Sequence, residues 1–367
     1  MSVVVIDENF EIHREASAYL AWLRSADRSP NTERVYASRI ALFLNYCASN
    51  RLDWRTVAVE DLGRFLRALV SDPLPPRAVT AVQPEPRFRT AKTANAILTS
   101  VTEFLRFGVG RGWVRPEIEQ RLTRRQILAR SPLGYDWGER EQFRAVRTRS
   151  IKLSQTESPP ETLADDRIAM VLQALPRVRD QLLVAVLTES GMRIGEALGL
   201  RRQDMHLLAS SASLGCQVPG PHIHVRRRIN ANGALAKSRF QRSIPVTPQV
   251  VDKYATYQFE RSCVPGAGDS DFVFVNLYKP PVGEPLRYHN AKKLFERTSA
   301  VVGFPVRPHM FRHSAATRWL DSGVPRDVVQ ALLGHVSPAS MQIYIHPTDQ
   351  AKRDAVERVD ALTKCSP

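Results

Sequence analysis

Apolar residues recur at helical spacing along most of this chain, and a strand-like alternation replaces that spacing over one short stretch, 222–246. The pattern predicts a mainly α fold with a small β-hairpin or sheet, an α+β class. Residues 11–27 put Ala16, Tyr19, Leu20 and Leu23 on one helical face. Ser29-Pro30-Asn31-Thr32 is a helix-start signal, with Pro near the first turn. The helix it opens carries Val35, Tyr36, Ile40, Leu42 and Phe43 to about Cys47. A third pattern follows Val59-Glu60-Asp61, with Leu62, Phe65, Leu66 and Leu69. A fourth runs from about Thr90 to Val109, through Ile97, Leu98, Val101, Phe104 and Leu105. Between these two, residues 71–88 hold Pro73, Pro75, Pro76, Pro84 and Pro86 and read as a loop. Residues 10–115 therefore predict an all-helical unit.

Residues 116–160 differ. They are rich in Arg, weakly periodic, and end in Ser158-Pro159-Pro160. They read as a basic linker with one short helix, either a solvated hinge or a strap along a phosphate backbone. A second domain, 161–350, opens with helical patterns at 162–174 and 178–190. The second of these is almost wholly apolar from Leu182 to Leu187, which predicts burial on all sides. Gly191 breaks the run. Residues 222–230 alternate like a strand, Asn232-Gly233 is a hairpin signal, and a second strand runs from Gln241 to Val246. From Tyr288 onward the spacing is helical again. In the tail, 351–367, Ala351, Ala355, Val356, Val359 and Leu362 form an apolar stripe on a charged helix.

With 367 residues the chain is long enough for two domains with their own cores. Lys plus Arg number 52 against 37 acidic residues, a formal net charge of +15. Such an excess points to a polyanionic partner. No run of eighteen apolar residues is present to span a bilayer, and the first residues lack the basic and apolar regions of a signal peptide. A cytoplasmic, nucleoid-associated location is expected. The cysteines, Cys47, Cys216, Cys263 and Cys365, stand isolated and show no zinc-type pairing, so they read as free thiols. No cofactor and no metal is expected.

His309, Arg312, His335 and Tyr344 fall within one short region, Tyr344 nine residues after His335. Arg presents a planar fork of donors matching two phosphate oxygens. His moves a proton near neutral pH, and Tyr can attack phosphorus covalently. His309 and Arg312 are three apart and share a helical face, so both can reach one phosphate. Gly334 fits a helix C-cap and Ser337-Pro338 the next helix start, which puts His335 in a tight turn.

Glu-Ser-Gly-Met-Arg-Ile-Gly-Glu-Ala-Leu-Gly-Leu at 189–200, followed by Asp204, resembles the first motif of the tyrosine recombinases. Residues 309–317 (His-Met-Phe-Arg-His-Ser-Ala-Ala-Thr) resemble the second, and Leu333-Gly334-His335 with Tyr344 the third. The likeness covers most of 160–350, and more weakly the helices of 10–110, which look like that family's core-binding (SAM-like) DNA-binding domain. It implies a site-specific DNA recombinase of integrase or transposase type. Tyr344 would attack, leaving a 3′-phosphotyrosine bond and a free 5′-hydroxyl, with no ATP needed for rejoining. Arg193 and Arg312 would hold the non-bridging oxygens, where prearranged donors are worth about 3–4 kcal/mol each. A free Tyr is ionised roughly one time in a thousand at neutral pH, so those cations and His309 and His335 would assist its attack.

The family's acid for the leaving oxygen is a Lys on a β-hairpin turn. Lys237 precedes Arg242 by five and Pro245 by eight, which resembles that pattern. The departure lies upstream, where residues 206–221 form a Ser- and Gly-containing insertion. His313 looks structural in this family, and Glu196 reads as holding Arg193 or a backbone group. Arg226-Arg227-Arg228, Arg39, Lys92 and Arg106 are open between DNA contact and ordinary solvated positions.

The resemblance further implies duplex DNA as partner and a homotetramer on paired sites, a dimer at each. The tail helix would pack into a neighbouring protomer or onto its own domain. Accessory recombinases or DNA-bending proteins are further partners it allows. Two other readings stay open, a type IB topoisomerase that relaxes DNA and a catalytically silent DNA-binding regulator. The length and the linker suit a transposase carried by a mobile element.

Overall fold

The computed structural model describes residues 3–7, 9–75, 85–127, 145–155, 160–235 and 241–334. Those up to 155 form one compact unit and those from 160 another.

The first unit is built on four long helices, α1 (Arg14–Ser25), α2 (Pro30–Ser49), α3 (Val59–Ser71) and α4 (Ala91–Gly110), with the described part of 116–155 packed onto them. The start signals act as expected. The Ser29 and Thr90 hydroxyl oxygens accept from the backbone N–H groups of Thr32 and Thr93, each at 3.2 Å. The apolar faces meet around Tyr19, Phe43, Phe65 and Phe104, all fully buried. Arg39 bridges α2 to α4, donating to the Ala96 carbonyl at 3.1 Å and the Ser100 hydroxyl at 3.0 Å.

The basic segment 116–160 contains a short helix, α5 (Glu117–Leu122), and also a ribbon of two antiparallel strands, β1 (Thr123–Ile127) and β2 (Ala145–Arg149). Four of the five β1 residues are exposed, so no buried face left an apolar alternation to read.

The second unit runs α6 (Asp165–Gln173), α7 (Val178–Ser190), α8 (Ile194–Ala197), β3 (Met205–His206), β4 (His222–Val225), β5 (Arg242–Pro245), α9 (Pro248–Ser262), α10 (Tyr288–Val302), α11 (Pro308–Asp321) and α12 (Arg326–Leu333). As its composition predicts, α7 is the buried axis, with Leu182, Leu183, Val184, Ala185, Val186 and Leu187 all in the core. It packs on α9 and α11. The three strands pair antiparallel in the order β3-β4-β5. His206 stands opposite His222, and His224 opposite Ser243.

β4 is shorter than the alternation over 222–230 predicts. Beyond Val225 the chain turns so that Arg228 can grip Asp204, donating to its two carboxylate oxygens at 2.5 and 2.7 Å. Arg226 also lies 3.8 Å from that carboxylate, so part of the basic run is internal neutralisation of a fully buried acid. Asn232-Gly233 forms a turn, with Gly233 at φ +72°, within the connection between the antiparallel strands β4 and β5. The Asn232 amide donates to the carbonyls of Leu198 and Leu286 at 2.9 and 3.0 Å and pins the loop to the core. Among the described residues, no helix is long and apolar enough to cross a membrane.

Candidate active site

α7 ends at Gly191 in the left-handed conformation (φ +59°), and the chain reverses into α8. Arg193 stands at the start of α8, where Glu196 caps it. The Glu196 carboxylate accepts from the Arg193 backbone N–H at 3.0 Å and from its guanidinium at 3.1 Å. Arg242, from β5, donates to the same carboxylate at 2.7 Å. Burial alone would raise the Glu196 carboxyl, but the charges and hydrogen bonds of Arg242, and then of Arg193, outweigh it and hold the group below the usual carboxylate range. Glu196 therefore stays ionised and does both things expected of it, holding Arg193 and a backbone group.

Arg312 lies on α11 and is buried. One guanidinium nitrogen donates to the Gly191 carbonyl at 2.7 Å, two residues before Arg193, and another to the Leu333 carbonyl at 2.8 Å. Arg242 meanwhile donates to the adjacent Leu332 carbonyl at 2.8 Å. Two arginines thus take up the terminal carbonyls of α12, where the helix dipole favours cations. Gly334 caps that helix in the left-handed conformation (φ +64°), as its position predicts. Residues from all three motif segments are knotted together through Arg312, Glu196 and Arg242.

His309 sits one turn before Arg312 with its side chain half exposed, 3.5 Å from the Glu161 carboxylate. Arg307 also pairs with Glu161 at 2.5 Å. His313 packs on His309 with ring centroids 5.9 Å apart. Burial first, then the charges of His309 and Arg312, lower the His313 pKa to about 4, so that ring is neutral near pH 7. Lys237, His335 and Tyr344 lie outside the described residues, as does the tail helix. The described residues on either side of Lys237 are themselves held in place. Arg242 holds Glu196 after it, and before it Leu235 lies so close to Gly195 that a Cβ there would meet the Leu235 carbonyl oxygen at 2.8 Å.

One expectation needs correction. Cys216 is not isolated, since its sulfur lies 3.3 Å from His222 Nε2 and 3.4 Å from His224 Nε2, with His206 beside them. Strand pairing makes this cluster, across an insertion whose linear spacing matches no familiar cysteine pattern. Arg242 and Gly191 hold the site together without a clear signal in the sequence, where Arg242 shows only as part of the spacing around Lys237 and Gly191 only as a helix breaker.

Residues 161–351 match the phage integrase family, and residues 16–112 match its N-terminal SAM-like domain. The chain therefore belongs to the phage integrase family. Its activity is that of a tyrosine-type DNA recombinase, which cleaves and rejoins DNA strands. Among curated relatives, transposase A from transposon Tn554 of Staphylococcus aureus is 25% identical over 351 residues, covering 95% of this chain and 91% of the relative. Tyrosine recombinase XerD of Corynebacterium glutamicum is 30% identical over 203 residues, 53% of this chain and 60% of its own. Among solved structures, the Tn1549 transposon integrase in complex with circular intermediate DNA aligns with a TM-score of 0.58 at 15% identity, over 93% of this chain and 98% of that one. A lambda integrase tetramer bound to a Holliday junction aligns at 0.56 and 14%, over 89% and 77%.

Proposed function

We propose that the chain is a transposon-type recombinase whose strand cleavage is carried by Arg193, Lys237, His309, Arg312, His335 and Tyr344. Tyr344 attacks a phosphodiester of duplex DNA, forming a 3′-phosphotyrosine link and releasing a 5′-hydroxyl. Lys237 protonates that leaving oxygen, and Arg193 and Arg312 neutralise the charge that develops on the non-bridging oxygens. His309 and His335 hold the phosphate and move the nucleophile's proton. The observation that carries the reading is the double anchorage of Arg312 on Gly191 and Leu333, which ties the second motif to the turn of Arg193 and to the residue two before His335. The anchoring of Leu235 and Arg242 around residues 236–241 supports Lys237 in the same way.

In this reading residues 10–115 are the core-binding domain, 116–160 a basic linker, 161–350 the catalytic domain and 351–367 a tail that joins protomers. The protein works in the cytoplasm on the nucleoid, as a homotetramer on two paired sites. Likeness to a transposase over nearly the whole chain favours a mobile element as its setting. A nicked suicide substrate built from the element's ends tests the chemistry. Wild-type protein should accumulate a covalent adduct, and Tyr344→Phe should bind the same DNA and form none. Adducts persisting in Tyr344→Phe would remove that residue from its role.

A further inference from the structure

His206, Cys216, His222 and His224 form a cluster that the recombination chemistry does not use. One donor atom from each lies within 4.8 Å of all the others. His206 comes from β3, His222 and His224 from the same face of β4, and Cys216 from the inserted loop between these strands. We propose that these four side chains bind one zinc ion, a structural site that fastens the insertion 206–221 to the sheet.

Three features carry the assignment. The first is spacing. Zinc bound tetrahedrally by nitrogen at about 2.0–2.1 Å and sulfur at about 2.3 Å sets ligand separations near ~3.3 Å for N···N and ~3.6 Å for N···S. Here His222 Nε2 and His224 Nε2 are 3.1 Å apart, and the Cys216 sulfur lies 3.3 and 3.4 Å from them. The triangle is nearly one face of that tetrahedron, and His206, with a ring nitrogen within 4.8 Å of the other three donors, is placed to close in as the fourth ligand.

The second is orientation. His222 Nδ1 lies 2.7 Å from the Gly220 carbonyl, which can only accept, so the hydrogen sits on Nδ1 and Nε2 turns a lone pair inward. His224 Nδ1 is held by the Ser243 hydroxyl at 3.0 Å, and its Nε2 faces the same point. Outer partners on the distal nitrogen are the arrangement by which proteins aim imidazoles at a metal.

The third is unmet demand. His222 is fully buried and His206 nearly so, and the buried Nδ1 of His206 has no hydrogen-bond partner. The hydrogen bonds within the cluster leave that His206 nitrogen unserved. A cation at the centre satisfies four lone pairs at once. Three imidazoles and a thiolate suit zinc, and with four protein ligands no position is left for substrate.

The full-length protein, stripped of metal with a chelator and titrated with zinc chloride or cobalt chloride, tests the assignment. About one equivalent should bind per chain, raise the melting temperature, and with cobalt give the intense visible bands of tetrahedral thiolate coordination. Cys216→Ser and His224→Ala should lose the cobalt bands, while Cys263→Ser, which alters an exposed thiol elsewhere, should keep them. Should a substituted protein not fold, the stripped wild type still decides. Folded wild type that takes up no stoichiometric zinc or cobalt overturns the site, and so does undiminished binding by Cys216→Ser.

Discussion

Glu196 shows how one carboxylate can assemble a site it never enters. It is fully buried and holds two guanidinium groups and a backbone N–H. Removing one partner of a buried ion pair typically costs about 3–5 kcal/mol, because the other charge stays behind without compensation. Glu196→Ala should therefore lower unfolding stability by roughly that amount, read from urea denaturation, and adduct formation should fall further than DNA binding. An unchanged denaturation midpoint would show that Arg242 finds another partner. At this scale the sequence was legible where a residue's partner is close in the chain, as Glu196 is to Arg193. The partners of Arg312 were not legible. Two of them are backbone carbonyls 121 and 21 residues away, which carry no residue-type signal.

Among elements, those with one strong period or a clear cap could be read closely. Helix α7 spans the predicted 178–190, and α2 starts at the proline that marks it. Short or exposed elements could not. β3 is two residues long, and β1 has no buried face. β4 stops at Val225, short of the alternation, because Arg226 and Arg228 look like alternating strand residues in the sequence but turn to Asp204 in the fold. The turn between α7 and α8 gives a test. Gly191 has φ +59°, and a Cβ there would meet the Leu333 side chain at 3.0 Å and Trp319 at 3.2 Å. An L-residue in that conformation costs about 1–2 kcal/mol before any crowding is counted. Gly191→Ala should lose at least about that much stability, and its adduct yield on a suicide substrate should drop while DNA affinity holds. Full adduct yield would mean that the turn adjusts without disturbing Arg193.

For the whole molecule, the net charge of +15 sets how it meets DNA. Each neutralised phosphate releases counterions, and with about six or more such contacts affinity falls on the order of a thousandfold between roughly 50 and 200 mM salt. Equilibrium binding to a paired-site duplex across that range should give a steep linear log–log plot, and a flat one would contradict extensive backbone contact. The end of α12 carries one last implication. Its final carbonyls are gripped from two directions, by Arg242 and Arg312, and Arg312 also grips the turn before Arg193. A shift of the last carbonyls of α12 would therefore reach Gly191, two residues before Arg193, through the single side chain of Arg312.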